Sequence, residues 1–140
     1  MSIIYFCPGK DDSCRKVKRV IEIIVAAEKC EVFHKLKEFE NYVRSSLSHQ
    51  DIIILQASDM KNLRRMTALK ELLSDQRIIL ILPEGKPETI ALGHTLRPRF
   101  VTYQDSDFLD MAAVLCNMLR PANAGAHVTL DSAPLTVKSR

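Results

Sequence analysis

Apolar positions along the chain switch between two spacings, and each switch marks an element. Short unbroken apolar runs occur at Ile3 to Cys7, within Asp51-Ile52-Ile53-Ile54-Leu55-Gln56, and at Arg77 to Leu82. Runs of this length bounded by polar or turn residues predict strands covered on both faces. Shorter runs, Glu31 to His34 and Phe100 to Tyr103, predict two more. Between them the apolar residues fall three or four apart. Val17, Val20, Ile21, Ile24 and Val25 predict a first helix capped by Ser13, and Leu36, Phe39, Val43 and Leu47 a second. Leu63, Met66, Leu69, Leu72 and Leu73 predict a third, Pro87 to Leu96 a fourth with proline in its first turn, and Ser106 or Asp107 through Leu119 a fifth.

Strands alternating with helices of this length imply βαβ units, a parallel sheet and helices on both faces. Right-handed crossovers leave few topologies. The expected fold is a flavodoxin-like three-layer α/β/α sandwich with a five-stranded parallel sheet of order 2-1-3-4-5. Its ligand crevice would lie outside the carboxyl ends of strands one and three, where the winding reverses. Residues 1–120 form that domain, and 121–140 read as a tail or linker: Pro121 to Ala126 is small and polar, followed by His127 to Leu130 and Leu135 to Val137 with strand-like alternation.

Composition narrows the function classes. The chain has 140 residues, 46% of them hydrophobic and 26% charged, with a net charge of +3. That is ordinary for a globular domain. The basic residues are spread over several segments, and the densest cluster, Arg15 to Arg19, is flanked by Asp11, Asp12 and Glu22. This argues against a nucleic-acid surface. The amino-terminal apolar run is too short for a membrane span, so the expected compartment is the cytoplasm, where four irregularly spaced cysteines would be reduced thiols. The four histidines follow no metal spacing, and no metal or cofactor is expected.

The third strand, Asp51 to Gln56, together with the βα order over residues 1–120, resembles response-regulator receiver domains. That resemblance implies a phosphoacceptor aspartate at the end of this strand, and here the position is Gln56, an amide that cannot form an acyl phosphate. The acidic pair that ends the family's first strand and holds magnesium is replaced by Cys7-Pro8, neither of which offers a hard oxygen ligand. Asp11 and Asp12 lie further on, either as a displaced metal pair or as carboxylates at the positive end of a helix dipole. The family's hydroxyl residue after strand four falls on Leu82-Pro83-Glu84, and its lysine after strand five on Tyr103. The resemblance thus implies a degenerate pseudo-receiver pocket made of Cys7, Pro8, Asp11, Asp12, Gln56, Pro83, Glu84 and Tyr103. It also implies a two-component signalling module working through a protein partner or a second copy. The family's switching surface, helix four, strand five and helix five, would here include Leu96, Val101, Tyr103, Phe108 and Met111.

A second reading contains chemistry. Cys7, ending a strand before a helix, occupies the place of the nucleophile in the IIB phosphocysteine proteins of the sugar phosphotransferase system and in low-molecular-weight tyrosine phosphatases. A helix amino terminus would lower its pKa and hold a phosphate. Against this, Arg15 is too far beyond Cys7 for the phosphatase loop, Pro8 lacks an amide hydrogen, and Asp11 and Asp12 repel an anion. The remaining readings of Cys7 are a buried small hydrophobe and a redox pair with Cys14. A flavin phosphate loop is missing as well, since Lys10-Asp11-Asp12 is not rich in Ser, Thr or Gly.

Overall fold

The computed structural model describes residues 1–9 and 11–120. The predicted tail, 121–140, lies outside the described residues. The elements follow in the order β1 (Ile3–Phe6), α1 (Asp12–Ile24), a 3-10 turn (Ala27–Lys29), β2 (Cys30–Phe33), α2 (Leu36–Ser46), β3 (Ile52–Gln56), α3 (Met60–Thr67), β4 (Arg77–Leu82), α4 (Pro87–His94), β5 (Phe100–Tyr103) and α5 (Leu109–Leu119). All strands are parallel, in the order β2-β1-β3-β4-β5, the flavodoxin-like arrangement expected from the pattern.

Side-chain alternation along the strands divides the core into two halves. Ile4, Phe6, Ile53, Leu55, Leu80 and Leu82 face α2, α3 and α4, where Phe39, Leu63 and Met66 complete the packing. Ile3, Tyr5, Ile52, Ile54, Ile79 and Ile81 face α1 and α5 and meet Val17, Ile21, Met111 and Leu115. Burial on both faces explains why β1, β3 and β4 are almost uninterrupted apolar runs. Gly93 lets α4 close onto β4, since a Cβ there would sit 2.9 Å from Leu80 Cδ2.

Several boundaries differ from the pattern, each for a local reason. Helix α1 starts earlier than a Ser13 cap allows, because Asp11 is the cap and its carboxylate accepts from the Cys14 amide. Helix α3 stops at Thr67 although its apolar spacing runs on to Leu73; the chain tightens into successive turns, with Leu69 N–H donating to Met66 O and Lys70 N–H to Thr67 O. Helix α4 likewise ends at His94, short of Leu96. Helix α5 begins at Leu109 because Phe108 takes a left-handed conformation, φ 63°, turning the chain as Ser106 Oγ accepts from its amide. Among the described residues no helix is long and apolar enough to cross a membrane.

Candidate functional site

The topological switch point lies at the carboxyl ends of β1 and β3. Alternation along β3 puts Gln56 on the same side of the sheet as Ile52 and Ile54, toward α1. On β1 the same parity selects Tyr5, which is in register with Ile54. Both side chains are fully buried. The Tyr5 hydroxyl donates to Gln56 Oε1, and Gln56 Nε2 donates to Ser13 Oγ at 2.7 Å. Ser13 in turn donates to Asp11 Oδ1 at 2.7 Å, and the same oxygen takes the Cys14 amide at 3.1 Å. A continuous hydrogen-bonded chain, Tyr5–Gln56–Ser13–Asp11, therefore occupies the end of β3.

The electrostatics follow from this geometry. Burial, with the Asp11 charge adding to it, pushes the Tyr5 phenol far above its ordinary range, so it remains a donor. The Ser13 hydrogen bond, then the Cys14 amide, holds the Asp11 carboxyl below the usual value. Asp11 is thus committed to capping α1. Of the two readings of the acidic pair, the helix-start placement is the one the geometry gives. Asp12 is solvent-exposed and pairs with Arg15 one turn on. Among the described residues no group of three or more His, Cys, Asp or Glu is placed to hold a metal ion.

Cys7 and Cys14 are joined as a disulfide across the β1–α1 loop, with Cα atoms 6.5 Å apart. The expectation of four reduced thiols is corrected here: the turn into α1 brings the two cysteines together although seven positions separate them in sequence. Both are buried, and both sulfurs lie within 3.4 Å of the Gly9 carbonyl. Cys30 is free, its thiol pushed up to about 11 by burial first and then by Glu31 and Glu22, which keeps it from acting as a thiolate.

The remaining predicted positions lie further along the carboxyl edge of the sheet without joining the chain. The Pro83 carbonyl accepts weakly from Gln104 Nε2 at 3.4 Å. Glu84 pairs with Lys86 at 3.3 Å, and the Tyr103 ring lies over Gly85. Pro8 is half-buried in the β1–α1 loop. Of the predicted switching surface, Leu96, Phe108 and Met111 are buried core, and only Val101 and Tyr103 are partly exposed.

Sequence reasoning missed Tyr5 and Ser13, which hold Gln56. Tyr5 carried a signal: a phenol in the middle of an otherwise apolar buried strand needs a partner for its hydroxyl. Ser13 carried none, because its contact with Gln56 bridges 43 positions and exists only in the fold. Chemically, the end of β3 presents a neutral amide whose oxygen and nitrogen are both occupied. Compared with protein-family models, with curated proteins and with solved structures, the chain matches none of them.

Proposed function

We propose that the chain is a receiver-like protein-interaction module in which phosphoryl transfer has been replaced by a fixed hydrogen-bonded network around a neutral amide. One observation carries this reading: Gln56, at the position of a phosphoacceptor, is fully buried with its oxygen bonded to Tyr5 and its nitrogen to Ser13. An amide is not a nucleophile toward phosphorus, and a buried polar group with satisfied partners is costly to pull out. The module therefore holds one state and works by binding, with a signalling protein or a second copy as partner and the cytoplasm as its setting. The IIB-like phosphotransfer alternative gains no comparable support, since a sulfur in a buried disulfide has no free thiolate to attack with.

Incubation with acetyl phosphate and magnesium, followed by intact-mass measurement, tests the reading. No phosphorylated species is expected for the wild type, nor for Gln56→Asp, because the metal carboxylates and the lysine remain absent. Stoichiometric phosphorylation of either protein refutes it.

A further inference from the structure

A second cleft lies on the opposite face of the sheet from Gln56, between the start of α2 and the first turns of α3, over the end of β1. It has a volume of about 440 Å³. Small-molecule sites run from about 300 to 1,000 Å³, so this cleft has room for something larger than a single phosphate. Phe6 and Leu36 provide an apolar floor, and Lys35, Lys37 and Arg65 line it with positive charge from two separate helices. Among the described residues no carboxylate lines it; Glu38, the acid in the first turn of α2, is not part of the wall.

Besides the single sign of charge, two features make this a candidate site. Two polar side chains of the cleft are held in fixed orientation: His34 Nδ1–H donates to the Cys7 carbonyl at 2.8 Å, which leaves Nε2 as an acceptor, and Asn62 accepts the Ser58 amide through Oδ1, leaving its amide nitrogen as a donor. The cleft also sits at the carboxyl ends of the strands, beside the point where the winding reverses, where open α/β sheets bind ligands. The first turn of α2 adds unpartnered amides, since its cap residue Lys35 makes no side-chain cap bond. A larger groove of about 660 Å³ lies at the other end of the sheet, but it mixes Glu71 and Asp75 with Lys70 and Arg99 and offers no single sign of charge.

We infer that the α2–α3 cleft binds a phosphorylated small molecule of nucleotide size, with its phosphates between Lys35, Lys37 and Arg65 and its apolar or planar part on Phe6 and Leu36. Arg65 forks around phosphate oxygens while the lysines act as point charges. This site is separate from the Gln56 network, so its failure would leave the proposed function standing.

Calorimetric titration of the purified chain with ADP, pyrophosphate and adenosine, with amide shifts recorded by NMR, tests the inference. ADP is expected to bind saturably and more tightly than pyrophosphate, with adenosine weaker than both, affinity falling as salt rises, and shifts centred on Leu36, Lys37 and Arg65. Arg65→Ala and the double variant Lys35→Ala/Lys37→Ala should each weaken ADP by roughly tenfold or more, the loss of charge-assisted hydrogen bonds. Lys70→Ala, in the other groove, should leave it unchanged. These four cations are solvent-exposed, so the variants fold. Absence of saturable binding by either phosphate probe at low salt overturns the site, as does ADP affinity indifferent to both α2–α3 variants. Equal affinity for pyrophosphate and ADP overturns the nucleotide-sized ligand.

Discussion

Tyr5 donates its phenolic hydrogen to Gln56 in a part of the core without solvent, and each residue there depends on the other. Tyr5→Phe leaves Gln56 Oε1 buried without a donor, which costs about 1–3 kcal/mol at neutral pH. Chemical denaturation measures this directly. The pH dependence has a definite sign. The folded phenol is raised above its ordinary value of 10.0, so above that pH the unfolded chain releases the proton while the folded chain keeps it. Tyr5 therefore contributes its full stabilisation below pH 10 and loses it as pH rises further, by about 1.4 kcal/mol per pH unit. The gap between wild type and Tyr5→Phe should narrow from pH 10 upward; a constant gap would show that the phenol ionises as freely in the fold as outside it. Gln56 itself was legible as the end of a buried strand. Its two partners were not, because a hydrogen bond from β1 or from α1 leaves no mark on the local pattern of β3.

At the scale of elements, the β1–α1 connection carries more constraint than its length suggests. Asp11 caps α1, Ser13 reaches Gln56, and the Cys7–Cys14 disulfide ties the strand end to the first turn of the helix. Closing a loop this short restricts the unfolded chain by about 2 kcal/mol. Reduction with a thiol reagent, or Cys14→Ser, should lower stability by about that amount, read from denaturant midpoints with and without reductant. Equal midpoints would mean that the pair is not bonded in solution. Helix boundaries were the least legible elements for a related reason. Leu69, Leu72 and Leu73 keep helical spacing beyond the end of α3, but Leu69 and Leu73 are satisfied by packing from turns. An apolar period states which residues go inside and not which backbone carries them.

Across the whole molecule, the face around β5 and α5 is where a partner would act in the proposed module, and the fold redistributes its residues. Leu96, Phe108 and Met111 are committed to the core, whereas Leu109 stands 71% exposed at the first position of α5. A large apolar side chain held out at a helix start is a natural contact, though a single one is also common on ordinary surfaces. Leu109→Asp should weaken self-association or partner capture, judged by mass in solution and by pull-down, while leaving stability unchanged or slightly higher, since a carboxylate suits the first turn of a helix. Unaltered binding would move the contact surface elsewhere. The sheet order, the parallel strands and the two-sided core were all readable from the chain, because burial of a strand on both faces is written in consecutive residues such as Ile52 to Leu55. The amide at the end of β3, Gln56, was readable for the same reason: it is a single position in a single strand. What fills the space was decided only by tertiary structure. The Tyr5–Gln56–Ser13 chain, the Cys7–Cys14 bond and the basic cleft between α2 and α3 each join segments that are separate in sequence, and distance along the chain carries no information about distance in space until the strands have paired.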